Sequence, residues 1–239
     1  MPFSTLHTTS GTGLLTRVLI FALLGIPFSA CAPTMIDIQG HRVFNPEYLW
    51  YLESEERDVW QKPEQVIEAL RLTRGDVIAD IGAGGGYFTE RFSKQVGPSG
   101  HVYAVDVQQI MIDRLKERVK RNKLDNVTVI KGTFESPLLP PDALDIAFFS
   151  SVYKEIDHRI SYMKGLRRNL RPGGRVAIIE FYKNGLQVGP EPVDRLYESR
   201  VIEELKAAGF SLIHSFDFLP REYFLLFGIS NPSPESPKN

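Results

Sequence analysis

The chain has 239 residues, with 28 lysines and arginines against 29 aspartates and glutamates, and a formal net charge of -1 at pH 7. This near-neutral balance provides no broad electrostatic attraction to nucleic acid, so we expect no nucleic-acid partner. Cys31 is the only cysteine in the sequence, which excludes an intramolecular disulfide and a multi-cysteine zinc site, and we predict no metal ion.

The amino terminus has the pattern of a targeting segment. Arg17 precedes the apolar run "VLIFALLGIPFSAC", which has signal-peptide length and is short for a transmembrane helix. Ser29 and Ala30 before Cys31 resemble the bacterial lipoprotein cleavage box, in which the cysteine becomes the lipidated first residue. We therefore predict a leader over residues 1–31 and a membrane-associated or periplasmic lipoprotein anchored through lipidated Cys31. An uncleaved amino-terminal anchor on a cytoplasmic protein, or a misassigned start codon, stays open as the alternative.

Two short helices are predicted ahead of the core strands, over Pro46–Trp60 and Pro63–Leu72. Residues 32–62 are assigned to an amino-terminal helical extension or lid, and residues 63–230 to one domain. The polar, proline-rich end "NPSPESPKN", residues 231–239, is predicted to be a disordered tail.

From Asp76 onward, short apolar runs alternate with longer amphipathic ones, as expected for a parallel sheet with crossover helices. Helices are predicted through "YFTERFSKQV", through "MIDRLKERVKRN", and from near Asp157 to the stop signal "LRPGG" at Leu170–Gly174. The predicted strands are "DVIADIG", "HVYAVDV", "NVTVIKG", "LDIAFFSS" and "RVAIIEFY". Their continuous apolar stretches suit strands that are covered on both faces.

The last part of the chain departs from this alternation. A helix through "LYESRVIEELKAAGF" precedes two strand patterns, "SLIHSFDFL" and "EYFLLFGI", with only "PR" between them. A two-residue link permits an antiparallel hairpin but no parallel crossover. The predicted fold is therefore α/β, a doubly wound and mostly parallel seven-stranded sheet that ends in an antiparallel hairpin.

The stretch "DIGAGGGYF", Asp80–Phe88, has the glycine content of a cofactor-binding turn. Gly82 and Gly84 match the first two glycines of a dinucleotide fingerprint, but Tyr87 stands at the third. Asp106 ends the second predicted strand, and its carboxylate can accept hydrogen bonds from both hydroxyls of a ribose. Nicotinamide enzymes use an acidic residue in the same way, so Asp106 alone leaves the cofactor open.

The order of the motifs along the chain indicates which cofactor the glycine turn binds. The series "ADIGAGGGYFT", "VYAVDV", "LDIAFFSS" and "LRPGGRVAIIE", followed by the terminal hairpin, resembles a class I S-adenosylmethionine-dependent methyltransferase from about Trp60 to Gly228. "VGPSGHVYAVDV" and "FLPREYFLLF" are most similar to small-molecule methyltransferase-domain proteins that resemble ubiquinone and menaquinone biosynthesis methyltransferases. The resemblance implies a Rossmann-like fold, S-adenosylmethionine as the cofactor and a small-molecule substrate.

The resemblance also implies a set of cofactor-binding residues. Its glycine turn receives the amino-acid portion of the cofactor rather than a pyrophosphate, so Tyr87 is permitted, and Asp80 would help to hold the ammonium group. Many relatives carry an aspartate after the glycine of "KG" to bond the adenine, where this chain has Thr133 and Phe134. Thr133 could offer a hydroxyl, and Phe134 could lie near the base or simply pack under the loop. The predicted cofactor-binding residues are Asp80, Gly82, Ala83, Gly84, Gly86, Tyr87, Asp106, Val107, Thr133, Phe134 and Ser150.

No catalytic residue is assigned from the sequence, because methyl transfer needs a general base only when the acceptor must lose a proton. Tyr153, after the fourth strand of the domain, is a candidate for orienting the acceptor. Glu180 and Tyr182, at the end of the fifth strand of the domain, are expected to point toward the same opening at the carboxyl ends of the strands. The segment "ERDVWQKPEQV" resembles the family's amino-terminal lid, in which Arg57 and Gln61 would close over the cofactor; a helix start at Pro63 is the alternative explanation.

Three functional hypotheses follow. The first is methyl transfer from S-adenosylmethionine to a small organic acceptor. The second is an NAD-dependent oxidoreductase, which Tyr87 and the terminal hairpin disfavour. The third is a membrane-tethered protein of the same fold without transferase activity, because the leader would carry the chain away from a cytosolic cofactor.

Overall fold

The computed structural model describes residues 34–54, 56–186 and 189–230. The predicted leader with Cys31 and the predicted tail over residues 231–239 lie outside these ranges. Within them, no helix combines the length and the apolar character needed to cross a bilayer.

The amino-terminal part folds as a hairpin followed by short helices. Strands β1 (Thr34–Ile36) and β2 (Arg42–Phe44) pair antiparallel. A 3-10 turn at Pro46–Tyr48 leads to three helices, α1 (Leu49–Leu52), α2 (Glu56–Gln61) and α3 (Pro63–Leu70). The hairpin was not predicted, because three-residue strands are too short to produce an alternating pattern. The predicted helix over Pro46–Trp60 is divided into separate pieces.

Seven strands form the main sheet in the order β5-β4-β3-β6-β7-β9-β8. The first five pair parallel, whereas β9 pairs antiparallel with both β7 and β8. The predicted fold class is therefore confirmed. The strand bounds are β3 Val77–Ile81, β4 His101–Asp106, β5 Val127–Lys131, β6 Leu144–Ser150, β7 Leu170–Phe181, β8 Phe210–Phe216 and β9 Glu222–Ile229.

Helices cover both faces of this sheet, and β6 shows why. Phe148 packs against Phe88 and Phe92 on one face, with ring centroids 4.7 and 4.9 Å apart. The next residue, Phe149, points to the opposite face and packs near Tyr162. Successive side chains of a strand alternate between faces, so an apolar run buries both sides. The helices are α4 Tyr87–Val96, α5 Gln109–Asn122, α6 Arg159–Leu166 and α7 Glu198–Ala207.

Two connections differ from the sequence prediction. Strand β7 begins at Leu170, within the predicted stop signal, and Leu144 pairs with Leu170 while Ile146 pairs with Arg175, so the glycine-containing segment bulges between them. Strand β8 ends at Phe216, earlier than predicted, because Leu219 leaves the strand and is buried in the core at 2% exposure. The antiparallel pairing of β8 with β9 holds, although the link is longer than two residues.

Candidate active site

A large cleft lies at the carboxyl ends of β3, β4 and β6, with about 1450 Å³ of space including its open mouth. The chain winds outward from β3 to β5 and then returns to place β6 on the other side of β3. Ligands of open α/β sheets bind at such a reversal of strand order. The fold therefore places a binding cleft next to the glycine turn.

Most of the predicted cofactor-binding residues face this one cleft. Gly86 does not line it and instead precedes α4 as its N-cap residue, with φ of 87°. Gly85, which was not predicted, takes a place in the lining. The predicted residues along the cleft are Asp80, Gly82, Ala83, Gly84, Tyr87, Asp106, Val107, Thr133, Phe134 and Ser150.

The glycine turn joins β3 tightly to β4. Gly82 has a φ of +72°, and a Cβ added there would lie 2.4 Å from Cγ2 of Val152. Its backbone N–H donates to the carbonyl of Val105 at 2.8 Å, and the N–H of Ala83 donates to the same oxygen at 3.0 Å. Only glycine adopts this backbone conformation at no steric cost and leaves room for Val152.

Asp106 is buried at the end of β4 and is held by backbone donors. Its Oδ2 accepts the N–H of Gly84 at 2.9 Å, and its Oδ1 accepts the N–H of Gln108 at 2.9 Å. Burial raises the pKa of this carboxyl, while the backbone donors favour the ionised form. Each oxygen keeps acceptor capacity, so the carboxylate is oriented to receive a pair of hydroxyl groups.

Asp80 is a second buried carboxyl, at 3% exposure. Its Oδ2 accepts the hydroxyl proton of Thr89 at 2.6 Å. Burial raises the pKa of Asp80 to about 6, against the opposing effects of Thr89 and Arg57. The group is therefore ionised at neutral pH and protonated in mild acid.

The hairpin β1–β2, residues 34–44, closes one side of the cleft as the lid. This segment is narrower than the amino-terminal extension or lid predicted over residues 32–62. The hydroxyl of Thr34 donates to Glu155 at 3.0 Å, and Gln108 Nε2 donates to the carbonyl of Phe44 at 2.8 Å. Arg42 forms an ion pair with Asp194. These partners follow β4, β6 and β7, so the lid is tied to segments that surround the cleft.

The loop after β5 meets the lid at the predicted adenine side. Phe134 lines the cleft and stacks on His41, with ring centroids 3.7 Å apart and an interplanar angle of 15°. The Oγ1 of Thr133 accepts the backbone N–H groups of Glu135 and Ser136 at 3.3 and 3.1 Å. Thr133 therefore organises its own turn, and the aromatic face of Phe134 is the prominent feature of this wall.

Tyr87 packs against the amino-terminal helices. Its ring lies 3.9 Å from the guanidinium carbon of Arg57 and 4.2 Å from that of Arg91. Its hydroxyl donates to Asp58 on α2 at 2.5 Å. The residue at the third-glycine position thus connects the glycine turn to α2.

The inner end of the cleft combines an apolar wall with a buried cation. The ring centroid of Trp60 lies 5.6 Å from that of Phe181, and both side chains line the cleft. The Nζ of Lys154 donates to the carbonyl of Ser151 at 2.6 Å and to Glu155 at 3.0 Å. Burial lowers the pKa of Lys154, but Glu155 and Glu180 outweigh it, so the pKa is raised and the ammonium stays charged.

Three sequence-predicted side chains do not face the cleft. Tyr153 is fully buried and does not line the cleft, and its hydroxyl donates to Glu204 at 3.0 Å, so its position does not suit contact with an acceptor. Glu180 is buried against the loop that follows β6, where it accepts the backbone N–H of Lys154 at 3.1 Å. Tyr182 packs near Tyr223 instead.

Sequence reasoning missed Ser151 and Glu222. Ser151 lines the cleft directly after the predicted Ser150, and its φ is +59°. Glu222 is the first residue of β9, and no sequence pattern around it indicates a functional role. Among the described residues, no cluster of histidine, cysteine, aspartate and glutamate has the arrangement of a metal site.

Comparisons with known proteins agree with this geometry. The profile of a family described as "Methyltransferase domain" matches residues 72–212, more than half of the chain. The crystal structure of an S-adenosylmethionine-dependent methyltransferase from Aquifex aeolicus is 28% identical, with a TM-score of 0.76, and the match covers 78% of this chain and 100% of that one.

Curated relatives include the ubiquinone/menaquinone biosynthesis C-methyltransferase UbiE of Proteus mirabilis, 26% identical over 66% of this chain and 61% of the relative. The protein of the same name from Vibrio parahaemolyticus is 29% identical over 52% of this chain and 47% of the relative. The chain thus spans about half to three fifths of the length of these relatives. From its fold, its glycine turn and the matching family profile, the chain belongs to the methyltransferase domain family, in the S-adenosylmethionine-dependent class.

Proposed function

We propose that this protein transfers a methyl group from S-adenosylmethionine to a small organic acceptor. One observation carries the proposal: the glycine turn presents its backbone to the same cleft that receives the buried carboxylates of Asp80 and Asp106. The residues fit the cofactor, because Asp106 retains acceptor capacity on both oxygens for the ribose hydroxyls. Asp80 offers negative charge for an ammonium group.

The mechanism needs mainly positioning from the protein. S-adenosylmethionine supplies an activated methyl group when it is bound. Asp106 would hold the ribose hydroxyls, Asp80 would hold the amino-acid portion, and Phe134 would contact the base. Trp60 and Phe181 exclude water from the inner end and restrict the orientation of an acceptor, which lowers the entropic part of the barrier.

The acceptor class is inferred from the inner wall and from the relatives. Apolar side chains line the cleft, among them Trp60, Phe181, Val152 and Ile156, and flat apolar molecules pack well on such surfaces. The curated relatives are named C-methyltransferases of quinone biosynthesis. We therefore propose a hydroxylated aromatic ring as the acceptor, with a ring carbon as the methylated atom.

Calorimetry on the full-length chain with S-adenosylmethionine, its demethylated product and NAD tests the proposal. Asp106→Asn should weaken binding of both sulfur compounds by about 1.5–3 kcal/mol, the effect expected for hydrogen bonds to a charged group. Asp113→Asn is the matched control, since Asp113 lies exposed on α5 and accepts a hydrogen bond from Gln109 at 2.9 Å. Saturable NAD binding without either sulfur compound, or wild-type affinity in Asp106→Asn, would contradict the proposal.

Membrane anchoring through Cys31 is a separate proposal, supported by the leader pattern of residues 1–31. Fatty-acid labelling of the chain in a bacterial host, lost in Cys31→Ser and blocked by globomycin, is the expected result. Unlabelled protein would argue against the lipoprotein. Cofactor binding with no transfer to any small-molecule pool would favour the tethered protein without transferase activity.

A further inference from the structure

A buried carboxyl group lies one side chain behind the wall of the cleft. Glu222 is fully buried, at 0% exposure. Its Oε1 accepts the hydroxyl proton of Ser151 at 3.0 Å, and its Oε2 accepts the Nε2–H of Gln61 at 2.6 Å. Ser151 and Gln61 both line the cleft. The carboxyl group is thus connected to the cleft through two side chains.

The orientation of the Gln61 amide is fixed by Arg57. The Nε of Arg57 donates to Gln61 Oε1 at 3.0 Å. A guanidinium has donors and no acceptor, so this contact requires the amide oxygen and leaves the amide nitrogen for Glu222. Oε2 of Glu222 is therefore an acceptor in this arrangement. Proton exchange falls to Oε1, which can accept from Ser151 when ionised and donate to it when protonated.

Ser151 holds a backbone conformation that is uncommon for a residue with a side chain. Its φ is +59°, a left-handed conformation that is strained for a non-glycine residue. Its N–H donates to the carbonyl of Ile179 at 2.8 Å, and its own carbonyl accepts Lys154 Nζ at 2.6 Å. Strain that persists because the surroundings over-determine it is typical of functional positions. Here it holds the Ser151 hydroxyl between the cleft and Glu222.

The charged groups around Glu222 come from three elements. Arg57 on α2 and Lys154 after β6 favour its ionised form, whereas Glu180 on β7 opposes it. Burial is the largest influence and raises the pKa of Glu222 to about 8. The group can therefore take up and release a proton near neutral pH.

We infer that Ser151 and Glu222 form the proton relay of the methyl transfer proposed above, on which this inference rests. The acceptor hydroxyl gives its proton to Ser151 Oγ as the Ser151 proton passes to Oε1 of ionised Glu222. The electron pair of the broken O–H bond moves through the ring, a ring carbon bonds to the methyl group, and the methyl–sulfur pair stays on sulfur. The immediate product is the keto tautomer, whose ring proton returns to the oxygen through solvent. Ser151 is the residue that touches the acceptor, and Glu222 acts through it as a positioning and proton-storing residue.

Methyl transfer by the full-length chain from labelled S-adenosylmethionine to 1,4-dihydroxynaphthalene, between pH 6 and 10, tests the relay. Wild-type kcat should rise about tenfold per pH unit and level off above pH 8, because the ionised carboxylate is the active form. Glu222→Gln should lower kcat about 100-fold and remove the break near pH 8, with KM changed less than about twofold. Ser151→Ala should reduce kcat similarly. Ionisation of the diol affects the wild type and every variant alike. The contribution of the relay is therefore the difference between the kcat–pH profiles of the wild type and each variant.

Glu198→Gln is the matched control, because partly buried Glu198 accepts the hydroxyl proton of Ser215 at 2.7 Å and does not line the cleft. It should keep the wild-type profile. Infrared difference spectra of wild type and Glu222→Gln provide a readout without turnover: a carboxyl band should titrate near pH 8, and Ser151→Ala should move its midpoint upward because the ionised form loses a donor.

Wild-type kcat and an unchanged pH break in Glu222→Gln overturn the relay. So does an infrared spectrum in which the Glu222 carboxyl does not titrate near pH 8, whether or not the diol is methylated. Titration that responds to Ser151→Ala supports it. A wild-type protein that binds neither S-adenosylmethionine nor its demethylated product instead overturns the proposed function.

Discussion

The two sides of the cleft are held by different kinds of interaction. On the sheet side, Gly82 and Asp106 are fixed by backbone hydrogen bonds inside the buried edge of β3 and β4. On the lid side, the hairpin is fixed by side-chain pairs such as Arg42 with Asp194 and His41 with Asp157, whose members are partly exposed. The sheet side belongs to the buried core. The lid side is held to it by partly exposed side chains.

This difference has an energetic consequence. A clash or strain at the sheet side must be accommodated within a close-packed interior, so it affects both stability and binding. Partly exposed ion pairs contribute about 0–1 kcal/mol each, so the lid can separate from the cleft at modest cost. The cofactor side of the cleft is therefore expected to be rigid, and the lid side to control entry and release.

The largest effect is expected from Gly82→Ala. The added Cβ would meet Val152 at 2.4 Å in a backbone with φ of +72°. Unfolding in urea should show a loss of about 1–3 kcal/mol from the conformational strain, and binding of S-adenosylmethionine should fall below detection by calorimetry. Gly173→Ala is the control, since its φ is +82° with no atom within 4 Å of the new Cβ. It should lose stability and retain binding; equal binding losses in both variants would show that the turn at Gly82 has no special role in holding the cofactor.

An intermediate effect is expected from pH acting on Asp80. The pKa of Asp80 is raised to about 6 by burial, so lowering the pH from 7.5 to 5 converts the carboxylate to the neutral acid. A cationic ammonium group binds the ionised form, and its affinity should fall about tenfold over this range. Asp80→Asn should bind more weakly and with little pH dependence. Affinity for S-adenosylmethionine that is constant across this range in wild type would remove Asp80 from the ammonium site.

The smallest effect is expected at the lid. A double-mutant cycle of Arg42→Ala and Asp194→Ala should give a coupling of about 0.5–1 kcal/mol, and the demethylated product should dissociate about two- to fivefold faster. Hydrogen exchange of residues 34–44 should accelerate while the β3 amides stay protected. Arg171→Ala is the control, because Arg171 pairs with Asp145 at 2.8 Å outside the cleft lining. Equal acceleration of product release in Arg171→Ala would show that the lid pair has no special role.

Much of the fold followed from the sequence, because its strands are buried on both faces and their apolar runs are visible without any partner. The glycine turn and Asp106 follow successive strands, so parallel pairing alone brings them to one edge of the sheet. The family was identified from the same motifs, and the matching profile confirms it. Tyr87 was expected to be compatible with the turn, and its contact with Arg57 was not predicted.

The sequence by itself determined the sheet, the turn and the edge at which a cofactor would bind, since each depends on local periodicity and on glycine conformation. Only the tertiary structure decided which side chains complete the cleft. It turned Tyr153 into the core, and it joined Glu222 to Gln61 and Ser151 across 161 and 71 residues of chain. Local patterns do not encode such contacts, because they depend on how α2, the loop after β6 and the carboxyl-terminal strands pack against one another.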